Sequence, residues 1–391
     1  MNSLSYAEAR LACAYFFLCP GLSYGIFTSR LPALKAQTGA NDAEVGLILL
    51  SVGLASLCGL LCCGWCINRT SSRFILRLGS CLAMLGISCC GIASTPLMLC
   101  ATGALAGIGI GLADVAQNAQ AILVERTWNR NCMVFMHAAY SLGGVAGALS
   151  GACFAWLDLA PVINSVCVLG LYALARPWAL PRLLPDLAAC GKKERPSGPV
   201  PVFIFACGFL ALLAFVIEGS VAEWGSILLV TAKHAPESVA ALVFAAFSMT
   251  SVFGRWFGDR LRAAAGDFPL CLLGGLLALA AMLLVLASAS PAVCLAGYGL
   301  MGLALSPVVP ILFSRAGQYP GVSPVRASAI VSIMAYGGLL FFPPLLGFGA
   351  QHYGLERTLT VIPVFCLVVA AGSLLLRKKG ERRPRSSRES Q

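Results

Sequence analysis

Polar side chains interrupt a long apolar segment between residues 97 and 123. Asp114, Gln117 and Asn118 follow the i, i+3, i+4 spacing that places side chains on one face of a helix, whereas Gln120 points away from that face. Hydrocarbon offers a carboxylate or an amide no hydrogen-bonding partner, so these residues need a ligand, water or a neighbouring helix. We predict that the three line a water-filled path and bind a polyhydroxylated or zwitterionic solute. The alternative is that the amides tie this helix to its neighbour through interhelical hydrogen bonds.

A second polar group interrupts the apolar segment 201–230. An unpaired charged carboxylate is costly at membrane depth, so Glu218 is expected to be neutral or paired, and both states suit a proton carrier. Glu223, nearer the end of the segment, is predicted to be an outer gate or a solvent-exposed residue. Trp224 is predicted to lie in the interfacial aromatic belt, and the alternative is a stacking surface for a sugar ring.

His137 and Tyr24 complete the set of candidate residues. His137 lies near the start of the apolar segment 133–156, where an imidazole that titrates near neutral pH can follow the pH of one compartment; the alternative is a structural role. His137 lies near one end of its segment and Asp114 near the middle of the membrane, so we predict that the two belong to separate sites. Tyr24 belongs to the first apolar segment, and Arg30 after it is expected to pair at the outer surface. The predicted proton-coupling residues are Asp114, Glu218 and His137, and the predicted substrate-binding residues are Asp114, Gln117, Asn118, Glu218, Trp224 and Tyr24.

The composition identifies the elements that must hold these side chains. Of the 391 residues, 59% are hydrophobic and 11% are charged, whereas a soluble domain carries about 25% charged residues. The 41 glycines suit close helix packing in lipid. We therefore predict an all-α polytopic membrane protein with twelve transmembrane helices, each of about 20 apolar residues. The predicted spans cover residues 11–29, 44–66, 74–94, 97–123, 133–156, 160–178, 201–230, 238–257, 269–289, 292–314, 327–349 and 357–376.

The predicted spans fall into two sets of six, separated by a polar interval. Most of the 27 Lys and Arg residues lie in the loops on the same side as the termini, so the positive-inside rule predicts that both termini are cytoplasmic in the cell inner membrane. The net charge is +11, and seven of the 27 Lys and Arg residues lie in the tail, where they suit anionic lipid; no nucleic-acid partner is expected. The predicted organisation is an N-terminal bundle over 1–180, a cytoplasmic central loop over 181–200, a C-terminal bundle over 201–376 and a basic cytoplasmic tail over 377–391.

Motifs for enzymatic chemistry are missing from the sequence. The 18 cysteines lie mainly inside apolar runs, where Cys acts as a small hydrophobe. Cys58, Cys62 and Cys66 share one helix face, but no second cluster completes a tetrahedral metal site. The three histidines are widely spread, and no P-loop is found. We expect a monomeric protein without enzymatic activity, metal or cofactor, powered by an ion gradient rather than by ATP.

The order of these features resembles the major facilitator superfamily of secondary transporters. Members carry a Gly- and Arg-rich motif in the loop after span 2, and a second copy follows span 8. The resemblance implies two pseudo-symmetric six-helix bundles, transport by alternating access, and a cytoplasmic gate at the motif residues. In this chain the first copy departs from the family at two positions, where Asn68 replaces the usual Asp and Ser71 replaces the second Gly. The matching residues are Gly64, Asn68, Arg69 and Arg73 in the first copy and Gly258, Asp259 and Arg260 in the second.

Several longer phrases resemble the YbjJ-like branch of this superfamily, which is loosely related to fucose-proton symporters. The phrases are TSRLPALKAQTGANDAEVGLILL, DVAQNAQAILVER, MHAAYSLGGVAG, EGSVAEWGSILL and GRWFGDRL. The resemblance implies a transporter fold and class but no substrate. From the polar residues we expect a small polar solute, with a sugar or sugar-like molecule as the first expectation, and proton coupling through Asp114 or Glu218. A proton-driven efflux pump for amphiphiles and a non-transporting membrane receptor are the alternatives.

Overall fold

The computed structural model describes residues 4–130, 132–185, 200–320, 322 and 324–377. Every regular element among these residues is helical, and twelve helical segments are long and apolar enough to cross a membrane. The predicted all-α fold with twelve spans is therefore confirmed. Most of the predicted central loop and nearly all of the predicted basic tail lie outside the described residues.

Some spans are single helices and others are built from consecutive helical pieces. Spans 1 to 5 are the helices Tyr6–Ser29, Asp42–Arg69, Ser72–Cys90, Pro96–Trp128 and Met133–Trp156, and the short helix Leu31–Thr38 joins the first two. Span 6 comprises Pro161–Leu174, Arg176–Ala179 and Leu180–Arg182, and span 7 comprises Val202–Gly219, the π-helical turn Ser220–Trp224 and Gly225–Thr231. Spans 8 to 10 are Glu237–Ala240 with Leu242–Ala265, Asp267–Ala287, and Pro291–Leu305 with Val308–Gly317. Span 11 is Pro324–Tyr353, and span 12 comprises Leu355–Thr358, Val361–Gly372 and Ser373–Leu376.

Side-chain caps fix where the first two spans begin. The Ser5 hydroxyl accepts a hydrogen bond from the backbone N–H of Glu8, and the Glu8 carboxylate accepts one from the Ser5 backbone. Asn41 and Glu44 form the same reciprocal arrangement at the start of span 2. Each capping box satisfies backbone donors that a helix start otherwise leaves without partners.

The two ends of the bundle are distinguished by the connections they carry. Because an even number of spans returns the chain to its starting side, both described termini lie at one end, which we call the termini end. There Arg182 of span 6 pairs with Glu8 of span 1 at 3.5 Å. The opposite end, which we call the far end, carries the connections at 30–41 and 232–236.

Glycines allow neighbouring spans to approach until their backbones touch. A Cβ on Gly111 of span 4 would lie 2.0 Å from the carbonyl oxygen of Ser56 in span 2. A Cβ on Gly21 of span 1 would lie 2.0 Å from the carbonyl oxygen of Tyr140 in span 5. Small residues at helix contacts permit such packing in lipid. These contacts set the positions of the helices that carry Asp114 and Tyr140.

We predict that Gly111→Ala destabilises the protein by about 1–3 kcal/mol, because overpacking outweighs the gain of about 1 kcal/mol in helix propensity. The readout is the thermal midpoint of the purified protein in detergent. Gly170→Ala in span 6 is the matched control, since a Cβ there would meet nothing within 4 Å. A Gly111→Ala midpoint equal to or above that of Gly170→Ala would contradict the tight contact between spans 2 and 4.

Candidate functional site

A cavity between the first six and the last six spans widens toward the termini end. In span 11, one face carries Tyr336, Leu340, Pro343 and Gly347 at successive helical turns. Tyr336 is 53% exposed, Leu340 is half-buried, and Pro343 and Gly347 are buried. The accessible surface on this face of span 11 therefore decreases from Tyr336 toward the far end.

Span 5 repeats this gradient on the opposite wall of the cavity. His137, Tyr140 and Gly144 lie on one face of the helix. His137 and Tyr140 are exposed, whereas Gly144 is buried, and a Cβ there would lie 3.3 Å from Phe244 of span 8. Both walls thus define a space that is closed at the far end and open at the termini end.

Contacts that close the far end, which we call the far-end seal, join the two sets of spans. The Ser226 hydroxyl of span 7 donates a hydrogen bond to the carbonyl oxygen of Thr28 in span 1 at 3.2 Å. The backbone N–H of Asp42 donates to the side-chain oxygen of Gln351 at 3.2 Å. A Cβ on Gly46 would lie 2.8 Å from Cα of Pro344, so spans 2 and 11 are in backbone contact.

Arg30 forms an ion pair within the far-end seal. Its Nε lies 3.2 Å from Oε1 of Glu237 in span 8, and its Nη2 donates to the carbonyl oxygen of Leu159 at 2.6 Å. The predicted pairing is confirmed, but Arg30 is only 3% exposed and is therefore buried rather than superficial. Burial lowers the pKa of the Arg30 guanidinium, and the carboxylates of Glu237 and Asp158 oppose that shift. These carboxylates thus stabilise the buried positive charge of Arg30.

Asp114 is held by two amides of its own helix. Nε2 of Gln117 donates to Asp114 Oδ1 at 3.3 Å, and Nδ2 of Asn118 donates to the Asp114 carbonyl oxygen at 2.8 Å. The predicted shared face is confirmed. Asp114 and Asn118 keep part of their surface accessible, whereas Gln117 is buried and its Oε1 has no partner among the described residues. Asp114 and Asn118 are therefore the members of the trio that face the cavity.

Gln120 is a structural residue on the other side of span 4. Its Nε2 donates to the Ser72 hydroxyl at 2.6 Å and to the Leu184 carbonyl oxygen at 2.9 Å, and its Oε1 accepts from the Leu184 N–H at 2.9 Å. The side chain is fully buried. Its predicted orientation away from Asp114 is confirmed, and its amide ties span 4 to span 3 and to the segment after span 6.

Two tyrosines outside the predicted set of substrate-binding and proton-coupling residues interact with the predicted carboxylates. Tyr140 of span 5 and Tyr336 of span 11 each interact electrostatically with both Asp114 and Glu218. They come from opposite walls and are 37% and 53% exposed. Tyr140 and Tyr336 are far apart in the sequence, so sequence spacing does not predict that they share a cavity. Tyr140 follows His137 by three residues and so shares its helix face. The structure thus brings Asp114 and Glu218 to one cavity.

His137 lies on a different span from Asp114 and interacts electrostatically with it. The His137 ring packs edge-to-face on Phe17 of span 1, with 5.6 Å between the ring centroids. Depth along each helix predicts that His137 and Asp114 form separate sites, and this stays a prediction.

Trp224 and Glu223 lie inside the protein rather than at its surface. Trp224 is 0% exposed and Glu223 is 7% exposed. The prediction of an aromatic-belt position for Trp224 is wrong, and so is the prediction of solvent exposure for Glu223. The reason is that the end of span 7 packs against other spans: next to Trp224, a Cβ on Gly225 would lie 2.7 Å from Val243 and 3.3 Å from Tyr298. In this conformation Trp224 offers no surface to a ligand.

Tyr24 of span 1 lies between the cavity and the far-end seal. It is half-buried and packs edge-to-face on Phe244, with 5.4 Å between the ring centroids. It interacts electrostatically with both Glu218 and Glu223. Its predicted role in substrate binding stays a prediction.

The motif residues predicted to form a gate lie at the termini end. Arg73 donates a hydrogen bond to the carbonyl oxygen of Leu183, and Arg69 and Arg260 are exposed. A Cβ on Gly258 would meet nothing within 4 Å. The surroundings of the other three motif residues, Gly64, Asn68 and Asp259, lie outside what the structure describes. Their gating role stays a prediction.

Twelve spans around a polar cavity, sealed at one end, define a membrane transporter. The sequence profile described as Major Facilitator Superfamily matches residues 11–325 of the chain. An uncharacterised MFS-type transporter of Yersinia pestis is 29% identical over 361 residues, covering 91% of this chain and 93% of the relative. The membrane protein MosC of Rhizobium meliloti is 30% identical over 365 residues, covering 93% of this chain and 89% of MosC.

A solved structure with the same fold agrees with these relatives. The crystal structure of the nucleoside transporter NupG aligns with a TM-score of 0.72 and 11% identity, covering 97% of this chain and 100% of that one. The chain belongs to the Major Facilitator Superfamily and is an MFS-type secondary transporter. The narrower resemblance to the YbjJ-like branch stays a prediction.

We predict that Gln120→Ala and Asn118→Ala have different effects on stability, although both remove an amide from span 4. Gln120→Ala leaves buried partners unsatisfied, at about 1–3 kcal/mol for each, and lowers the thermal midpoint. Asn118→Ala removes bonds to its own helix only and leaves the midpoint close to that of the unmodified protein. Equal losses of stability in the two variants would contradict the separation of a structural amide from a cavity amide.

Proposed function

We propose that this protein moves a small polar solute across the cell inner membrane by alternating access, with protons as the coupling ion. The observation that carries the proposal is the cavity in which Asp114, Glu218, Tyr140 and Tyr336 interact while keeping accessible surface. Transporter sites lie near the middle of the membrane between the two repeats. Asp114 fits this depth, since about 18 residues of span 4 precede it and about 14 follow, at about 1.5 Å each.

The chemistry of the cavity favours a polar ligand. Carboxylates accept hydrogen bonds, tyrosine hydroxyls both donate and accept, and the Asn118 amide does the same. A polyhydroxylated molecule such as a sugar or a nucleoside presents the matching groups at short spacing. The tyrosine rings add flat apolar surface on which a sugar or a base can stack.

A second candidate is the efflux of amphiphilic cations. The observation that favours it is the aromatic pair of Phe215 and Tyr336, whose ring centroids are 5.8 Å apart beside two carboxylates. Aromatic rings and negative charge together attract cations. The two candidates predict different ligands and are separated by a binding experiment.

Proton coupling is supported by the lack of fixed cations at the two cavity acids. Neither Asp114 nor Glu218 forms an ion pair with any residue that the structure describes. A carboxylate at this depth is less costly when neutral, so binding and release of a proton change its interactions strongly. His137 supplies a neighbouring imidazole that interacts electrostatically with Asp114.

The orientation follows from the distribution of positive charge. Lys and Arg residues are enriched on the termini side, so the termini end faces the cytoplasm and the far end faces outside. With this orientation the structure corresponds to an inward-facing conformation. Alternating access then requires the far-end seal to open and the cavity to close on the cytoplasmic side.

Ligand identity is tested by a thermal-shift panel on the purified full-length protein. The panel contains sugars, nucleosides, amino acids and cationic drugs. A ligand that binds only the folded state raises the midpoint, by about 2.7 kcal/mol of stabilisation at one hundred times its dissociation constant. We expect a shift with a sugar or a nucleoside. A shift with cationic drugs alone would instead support efflux.

We predict that Asp114→Asn abolishes concentrative uptake in proteoliposomes but leaves exchange of the same solute across the membrane. The amide keeps the shape of the side chain but carries no titratable proton, so a pH gradient no longer drives accumulation. Uptake is measured with the ligand identified in the panel, with and without the gradient. Glu44→Gln is the matched control, because Glu44 caps span 2 at the far end and the amide retains the capping function. Unchanged pH-driven accumulation by Asp114→Asn would exclude Asp114 as the coupling residue.

A further inference from the structure

A carboxylate lies buried within the far-end seal without a positive partner. Glu223 is 7% exposed, and its Oε2 makes no hydrogen bond with any described residue. No Lys or Arg forms an ion pair with it in the described part of the chain. Arg30, the cation of the seal, is committed to Glu237 and to main-chain carbonyls. Glu223 therefore differs from every acid that the sequence analysis assigned to proton coupling, because it is enclosed by the seal.

The groups that face Glu223 are neutral or acidic. Span 1 presents the Tyr24 hydroxyl, which lies within interaction range of the carboxylate. Span 7 itself contributes Glu218 and the fully buried Trp224, whose Nε1 also has no partner among the described residues. Span 10 presents Tyr298 against the next residue, Gly225.

The other neighbouring spans bring no positive charge to the carboxylate. The far end of span 8 presents Phe244 and Val243, and its acid Glu237 faces Arg30 instead. Span 11 presents Leu339, which a Cβ on Gly219 would meet at 2.9 Å. An ionised Glu223 would thus be an uncompensated charge in an apolar enclosure, which costs several kcal/mol.

A local change in helix geometry turns Glu223 toward Tyr24. In a regular α-helix, residues five apart point about 140° away from each other. Span 7 instead forms a π-helical turn over Ser220–Trp224, whose i→i+5 hydrogen bonds reduce the angle between residues five apart. Glu218 and Glu223 are five apart, and Tyr24 interacts with both. Turns of this kind occur frequently at functional sites.

We propose that Glu223 is a proton-binding site, and that the far-end seal closes over its neutral carboxylic acid. When the far end is open, water reaches the ionised carboxylate, which takes a proton from hydronium and leaves water. The neutral acid fits the closed seal, where it hydrogen-bonds with Tyr24. Ionised Glu223 holds the far end open, so closure requires the uptake of a proton. Tyr24 is a positioning residue for this acid. The inference rests on the proposed alternating-access function and assigns it a gate proton that is separate from Asp114.

The protonation state is tested by infrared spectroscopy on the purified full-length protein, without any transported solute. A protonated carboxyl gives a carbonyl-stretch band that ionised carboxylates lack and that shifts in D₂O. We expect this band near neutral pH, its loss in Glu223→Gln, and its retention in Asp114→Asn and Glu218→Gln. A spectrum of Glu223→Gln identical in this region to that of the unmodified protein, or the lack of any such band in the unmodified protein, would overturn the proposal.

If Glu223→Gln fails to fold, Tyr24→Phe provides a second test of whether the infrared band belongs to Glu223. Because this variant removes the hydroxyl that faces the acid and retains the ring, we expect the band to shift in frequency without being lost. Tyr298→Phe is the matched control, since Tyr298 packs against Gly225 and leaves the band unchanged. Identical spectra for Tyr24→Phe and the unmodified protein would overturn the assignment of the Glu223 band.

The link to closure is tested by hydrogen–deuterium exchange of the segments that form the far-end seal, 28–46 and 226–240. After correction for intrinsic exchange rates, we expect these segments to lose protection as the pH rises and Glu223 ionises. Glu223→Gln should stay protected throughout, because an amide cannot ionise. Loss of protection with the same pH dependence in Glu223→Gln would overturn the gating role. If Asp114→Asn does not affect transport, the proposed coupling role of Asp114 fails. The infrared and hydrogen–deuterium exchange results for Glu223 are independent of that outcome.

Discussion

The cost of an unpaired charge in apolar surroundings governs where the charged groups at the core of this protein lie. Arg30 reaches the interior with Glu237 and the Leu159 carbonyl as partners. The neutral amide of Gln120 is fully buried because Ser72 and Leu184 satisfy it. Asp114 has no such fixed cation and lies where part of its surface stays accessible. In these examples the satisfied groups hold the bundle together, and the carboxylate without a cation lines the cavity.

Backbone contacts at glycines hold the spans that surround the cavity in fixed positions. Gly111 lies three residues before Asp114 and brings span 4 against span 2, and Gly21 lies three residues before Tyr24 and brings span 1 against span 5. The candidate side chains are thus anchored next to the tightest contacts of their helices. Rigid placement of this kind is what a binding site needs, because its ligand groups must be held in position before the ligand arrives.

The contacts that close the far end are of a kind that can separate and re-form. They comprise one ion pair, two described hydrogen bonds and glycine–proline packing between spans 2 and 11. A rocking motion of one set of spans against the other would break contacts of this kind. Burial of Glu223 within it gives protonation a direct effect on the closed state. Gate and cavity are then coupled through Tyr24, which interacts with Glu218 on one side and Glu223 on the other.

The sequence by itself determined the twelve spans, the shared face of Asp114, Gln117 and Asn118, and the opposite direction of Gln120, because hydrophobic length and helical spacing are local properties. It did not reveal that His137 interacts electrostatically with Asp114, or that Tyr140 and Tyr336 each interact with both Asp114 and Glu218, since these neighbours come from different spans. The burial of Trp224 and Glu223 was also decided by tertiary packing. Their position near the end of span 7 predicted lipid headgroups or water as neighbours, but other spans pack around that end instead.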